Sequence, residues 1–151
     1  MNKIYISWND IESLTQKVAK QLKCQTFDSI IGVAKGGLIP SVLLAKELNI
    51  DRIYSIGIKS YSEKDQLLSK SICYQEVDQT NLYGNICIID DIADSGQSLE
   101  LVKKTIINKN VDLCFVTLYY KSRSKFEPYF YGEKISNEAW IVFPWEKQKG
   151  E

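Results

Sequence analysis

The chain contains no histidine, and that absence alone excludes Ser-His-Asp hydrolysis, the usual zinc sites and the commonest general base. Proton transfer falls to carboxylates, lysine or tyrosine. Net charge is absent too: 19 Lys and Arg balance 19 Asp and Glu. No general field therefore holds a nucleic acid or an anionic membrane, and an anionic ligand has to be caught by local geometry. No apolar run approaches the ~18 residues of a membrane span. The opening Met1-Asn2-Lys3-Ile4-Tyr5-Ile6 turns polar at once, so neither signal peptide nor anchor is expected and the expected location is the cytoplasm. Four cysteines, Cys24, Cys73, Cys87 and Cys114, form no Cys-x-x-Cys pair, and they read as reduced, structural thiols. What remains, 151 residues with 44% hydrophobic and 25% charged, is the size and composition of one globular domain, 1–151.

Local patterns fill that domain. Ser7 followed by Asp10 resembles a capping box, and Ile11, Leu14, Val18 and Leu22 recur at helical spacing, predicting a helix from about Trp8 to Lys23. Ser29-Ile30-Ile31-Gly32-Val33 reads as a buried strand. It breaks at Lys35-Gly36-Gly37, and a second helix follows with Pro40 near its start and Leu43, Leu44 and Leu48 along it. Further strands are predicted over Arg52–Ile58, Asn85–Ile89 and Leu113–Tyr119, and a third helix over Ser98–Asn108. Strands alternating with helices imply an α/β fold, an open, mainly parallel sheet flanked by helices on both faces. In such sheets ligands bind beyond the carboxyl ends of the strands, where the glycine turn and the aspartate run both fall, so these two should meet.

Two stretches break the alternation. Lys59 to Tyr83 is a long polar connection with little periodicity, and connections of that length are usually lids or binding loops, so a flexible loop is expected over about 60–83. From Lys121 onward the chain is rich in Tyr, Phe and Trp and reads as a small irregular C-terminal hood, about 121–151.

The segment that carries chemistry is Ile88-Ile89-Asp90-Asp91-Ile92-Ala93-Asp94-Ser95-Gly96-Gln97-Ser98. An apolar strand delivers adjacent carboxylates to its tip, and a short hydroxyl- and glycine-containing loop leads into a helix. Free N–H groups at a helix start make a site for a phosphate. The carboxylates before it suit sugar hydroxyls or Mg²⁺, which prefers oxygen ligands. Lys-Gly-Gly is neither a P-loop nor a dinucleotide fingerprint.

This segment resembles the phosphoribosyl diphosphate signature of the type I phosphoribosyltransferases. Trp8, Ile31 to Pro40, Leu43 to Leu48, Ser60-Tyr61, Lys121, Trp140-Ile141 and Pro144-Trp145-Glu146 resemble, in order and spacing, the short bacterial xanthine-guanine members. The resemblance implies a Mg²⁺-dependent purine-salvage transferase acting on phosphoribosyl diphosphate and a 6-oxopurine, and a homo-oligomer, dimer or tetramer. It implies Asp90 and Asp91 for the ribose hydroxyls and metal, and Asp94 as general base. Ala93, Ser95, Gly96, Gln97 and Ser98 join them in binding the phosphoribosyl group. Lys35, Gly36, Gly37, Ser60 and Tyr61 bind pyrophosphate. Lys121, Trp140 and Ile141 bind the base, with the Lys121 ammonium donating to the 6-oxo group. Glu146 stands where the family has an aspartate that binds a second Mg²⁺ through water. Lys35 replaces the arginine of the xanthine-guanine enzymes and offers a cation without the bidentate fork. Another acceptor base, or a nucleotide-binding regulator without turnover, remains an alternative.

Overall fold

The structure is a computed structural model, and it describes residues 2–61 and 70–146. The element order is β1 (Asn2–Tyr5), α1 (Trp8–Gln21), β2 (Ser29–Ala34), α2 (Leu38–Leu48), β3 (Ile53–Tyr61), β4 (Lys70–Gln75), β5 (Gly84–Ala93), α3 (Gln97–Thr105), β6 (Val111–Lys121), β7 (Phe130–Ile135) and β8 (Ala139–Val142). Six strands form the central sheet in the order β4-β3-β2-β5-β6-β7. Every neighbouring pair is parallel except β3 with β4. The expected open α/β sheet is present. Helices α1 and α2 cover one face and α3 the other, so the central strand β5 is buried on both sides. Its residues Ile86, Cys87, Ile88 and Ile89 have no exposed surface, as continuous apolar runs in parallel sheets require.

Helix α1 starts as its capping box dictates. The Asp10 N–H donates to Ser7 Oγ at 3.1 Å, and the Ser7 N–H donates to Asp10 Oδ2 at 2.8 Å. The Ser7 hydroxyl, which donates to Asp10 Oδ2 at 2.7 Å, and then the Ser7 N–H hold the Asp10 carboxyl below its ordinary value. Ile11, Leu14 and Val18 face the core together with Ile89, Val116 and Leu118. Helix α3 ends at Thr105, short of the expected Asn108. The Asn108 amide instead donates to the carbonyls of Gln79 and Leu82 at 2.9 and 3.2 Å, which spends the residue on the loop below.

Both stretches read as irregular contain strands. Strand β3 runs on to Tyr61 because β4 pairs with it antiparallel. As an edge strand, β4 shows alternately exposed and half-buried residues, so Lys-Ser-Ile-Cys-Tyr-Gln carries no apolar alternation. The part of the expected loop at 62–69 lies outside the described residues. In the C-terminal region β7 joins the sheet beside β6, while β8 pairs in parallel with β1 as a separate two-stranded ribbon. Trp145 stacks on Phe143, ring centroids 4.7 Å apart, and packs near Trp8 at 6.0 Å, which ties the hood to the start of α1.

All four thiols are free, and burial pushes Cys87 well above its ordinary range. Among the described residues no helix is long and apolar enough to cross a membrane.

Candidate active site

The apolar half of β5 is held between β2 and β6, so the residues that follow Ile89 emerge at the carboxyl edge of the sheet. Asp90, Asp91, Ala93, Asp94, Ser95, Gly96 and Ser98 line one cavity of about 250 Å³, with Ser60 from β3 and Val33 and Ala34 from β2 on its other wall. The strand tip and the helix start thus form a single concave surface.

Asp90 is 8% exposed, and its Oδ1 accepts the Asp91 N–H at 2.8 Å. Burial, followed by the charge of the adjacent Asp91, pushes the Asp90 carboxyl well above its ordinary range. Burial likewise lifts Asp91 to about 6, against hydrogen bonds from Asp90 and Ile92 that favour the ionised form, and Glu146 adds to the rise. A buried carboxylate beside a half-buried one is a costly arrangement that a divalent cation would offset. Among the described residues no group of three His, Cys, Asp or Glu is positioned to hold a metal. The chain therefore offers two carboxylates and leaves other positions to water and substrate oxygens, a donor set that suits Mg²⁺. Glu146 is close enough to be felt by Asp91, but its Oε2 accepts the Phe143 N–H at 3.0 Å, which commits that oxygen to the turn.

The glycine turn meets the aspartates, as expected. A Cβ on Gly36 would collide with the Asp91 carboxylate, and one on Gly37 with the carbonyls of Ile89 and Val33. Close approach of backbone, rather than a special dihedral, explains both glycines. Gly37→Ala should therefore cost about 2–3 kcal/mol of stability, as overpacking against fixed backbone does. Gly36→Ala should lose activity before stability. Chemical denaturation alongside turnover checks the pair, and wild-type stability for Gly37→Ala would refute the packing argument.

Gly96, the residue before α3, has φ 83°, a left-handed value that favours glycine. It also lies against Ser124 Oγ and the Phe126 N–H, so the loop after β6 presses on the turn that leads into α3. The Gln97 N–H donates to Ser95 Oγ at 3.3 Å, and the start of α3, with the positive end of its dipole, lies at the cavity, where Ser98 and Leu99 line it.

Strand β6 outruns its expected end and carries Lys121 to the same edge. Lys121 is 1% exposed, and its Nζ donates to Asp94 Oδ2 at 3.2 Å. A residue that could have been an ordinary surface lysine is a buried one paired with Asp94. Arg123, which sequence reasoning missed, donates from Nε to Asp94 Oδ1 at 2.7 Å and pairs with the same oxygen through Nη2. No periodicity marks it out in the polar run Ser122-Arg123-Ser124-Lys125; only its two-residue distance from Lys121 could have pointed there.

The remaining expected residues stand apart from the cavity lining. Lys35 is exposed at the turn, and Tyr61 is exposed at the end of β3 with the Lys59 ammonium over its ring. Trp140 is 46% exposed on β8. Ile141 is buried, and its side chain lines a different cavity between β1, α1 and β6.

A parallel α/β sheet with acidic residues and a helix start at one strand tip defines a class of protein that grips a phosphorylated small molecule at the carboxyl edge of its sheet. Comparisons narrow the class. The phosphoribosyl transferase domain model matches residues 2–148, and the chain belongs to that family. It is 31% identical over 150 residues to the xanthine-guanine phosphoribosyltransferase of Cereibacter sphaeroides, covering 94% of this chain and 86% of that one. The solved purine phosphoribosyltransferase of Pyrococcus horikoshii superposes with a TM-score of 0.82 at 31% identity, covering 99% and 97% of the two chains. The xanthine-guanine-hypoxanthine enzyme of Helicobacter pylori, at 23% identity and a TM-score of 0.76 over 96% and 94%, shares the fold.

Proposed function

We propose that the chain is a purine-salvage enzyme that transfers ribose 5-phosphate from phosphoribosyl diphosphate to a 6-oxopurine and releases pyrophosphate. One observation carries this reading: acidic pair, phosphate-loop residues and Asp94 line a single cavity, and a buried lysine closes on Asp94 at its edge. The relatives' printed substrates, xanthine and guanine, support the purine.

In this reading Ser95, Gly96, Gln97 and Ser98 hold the 5′-phosphate at the start of α3. Asp90 and Asp91 hold the ribose hydroxyls and would be the residues that bind Mg²⁺. When bound, that ion neutralises charge on the departing pyrophosphate. Lys35, Gly36 and Gly37, with Ser60 and Tyr61, hold the leaving group from the opposite side. As the anomeric carbon bonds to N9 of the purine, the C–O bond to pyrophosphate breaks, and Asp94 accepts the proton from N7. Lys121 donates to the 6-oxo group and can only donate, which disfavours adenine. Trp140 and Ile141, whose side chains stand outside the cavity, would meet the base through their backbone carbonyls, and Glu146 would be the residue to hold a second ion. The exposed apolar residues Leu38 and Val42 on α2 favour self-association, and the four free thiols suit the cytoplasm.

Incubation with Mg²⁺, phosphoribosyl diphosphate and each base separately tests the assignment. Nucleotide should form with at least one of guanine, xanthine and hypoxanthine, and little with adenine or orotate. Absence of product with all three oxopurines overturns it.

A further inference from the structure

We infer that Arg123 is a positioning residue, holding the Asp94 carboxylate in place from the turn after β6 so that Lys121 can turn to the base. The inference rests on the reading of Asp94 as the proton acceptor in phosphoribosyl transfer. Three features of the geometry carry it.

The first is how the carboxylate is divided. Arg123 takes Oδ1 through two nitrogens, and Lys121 takes Oδ2 through one. Two guanidinium nitrogens set in one rigid plane converge on Oδ1 and fix where that oxygen sits, whereas the ammonium is a point charge whose donors rotate freely. With Oδ1 held by Arg123, Lys121 can move its donors to a ligand oxygen while Asp94 keeps its orientation. Without Arg123, Lys121 has to serve the carboxylate and the base at once.

The second is that the Arg123 backbone is fixed although its side chain is half exposed. Its N–H donates to Asn137 Oδ1 at 3.1 Å, and the Ser122 hydroxyl donates to the same oxygen at 3.4 Å. Asn137 sits in the turn between β7 and β8, so the hood holds the residue from one side. From the other, the Ser124 N–H donates to the Lys121 carbonyl at 3.0 Å, and the Lys125 N–H donates to the Ser95 carbonyl at 3.0 Å. The turn is therefore stitched to the hood and to the phosphate-loop region together.

The third is burial. Lys121 has 2% of its side chain exposed and Asp94 34%, so the pair is partly withdrawn from water, where a charge-assisted contact directs a side chain more strongly than it does at an open surface. Arg123 reaches Asp94 from the solvent side, where it is the outer of the two cations.

The test compares Arg123→Ala, Arg123→Lys and wild type by steady-state kinetics with an oxopurine that the wild type uses. Misorienting a group asked for a ~10²–10⁴-fold contribution should lower kcat roughly 10- to 100-fold in Arg123→Ala. KM for phosphoribosyl diphosphate should stay within about threefold, because the phosphate loop is untouched. Arg123→Lys should recover only part of the loss, since it returns the charge without the fork. Added guanidinium should restore turnover to Arg123→Ala in a saturable manner, a response that general loosening of the fold would not give. A kcat unchanged in Arg123→Ala overturns the inference and leaves the enzyme assignment standing. So does a loss that guanidinium and Arg123→Lys both fail to relieve. Wild-type protein inactive with every oxopurine overturns both.

Discussion

Asp94→Asn should lower kcat by roughly 10²- to 10⁴-fold, the range for removing a general base, with KM for phosphoribosyl diphosphate little changed. The substitution keeps the shape of the side chain and its place between the phosphate loop and Lys121, so what it removes is proton acceptance and charge. It also leaves a lysine that is 1% exposed without its counter-ion, which should destabilise the fold by about 1–3 kcal/mol even though Arg123 stays solvated. The two effects separate in the double variant Asp94→Asn with Lys121→Met. Replacing the stranded lysine by an apolar side chain of similar length should return most of the lost stability and none of the activity. Turnover at wild-type rate in Asp94→Asn would refute the general-base role; a thermal midpoint that the double variant does not raise would refute the burial argument.

The second large effect is a pH dependence of stability in the ligand-free protein, arising at Asp91. Its folded carboxyl titrates at about 6 against an ordinary 3.8. The native state therefore binds the proton more tightly than the unfolded chain does. Stability from this group is fully present below about pH 3.8 and is lost as pH rises through about 6; above that it falls no further. A rise of about two pKa units corresponds to a loss on the order of 2–3 kcal/mol across that window. Asp91→Asn should show a shallower fall over the same range, because Asp90, raised chiefly by burial, still contributes its own, and in the presence of a chelator it should be more stable than wild type near pH 8. The same variant should lose Mg²⁺-dependent activity, since it gives up one of the two carboxylates available to the ion. Unfolding midpoints measured at intervals from pH 4 to pH 8, with chelator throughout, decide this. A wild type whose stability rises between pH 4 and pH 6 relative to Asp91→Asn would show that the carboxylate is stabilised rather than penalised by its surroundings.

The opposite treatment of neighbouring carboxylates follows from where the strand ends. Asp90 and Asp91 are still within β5, the first buried and the second half-buried. Asp94 has left it and meets two cations at the edge. One run of sequence thus places a pair of carboxylates suited to a divalent cation and, three residues on, a single carboxylate paired with Lys121 and Arg123.

Much of this was legible in the residues themselves. The Ser7 and Asp10 capping box, the apolar run Ile86 to Ile89 and the glycine turn at Gly36-Gly37 are local signals, each settled by contacts within a few residues or by a period of hydrophobicity. The strand-to-helix junction at Asp90 to Ser98 is of the same kind: its polarity, hydroxyls and glycine are adjacent in the chain, so they remain adjacent in space. Strands β1, β4, β7 and β8 were not legible. They are short, lie at sheet edges or in a ribbon, and owe their form to a partner distant in sequence rather than to alternation of their own.

The amino-acid order by itself determined the central βα units and the β5–α3 junction, because those features rest on local periodicity and backbone chemistry. Only tertiary structure decided that Lys121 is buried, that Arg123 shares Asp94 with it, and that Gly36 touches Asp91. Each of these depends on two or more segments ending at one edge of a parallel sheet. No window of sequence contains the distances at that edge; the register of β2, β5 and β6 sets them.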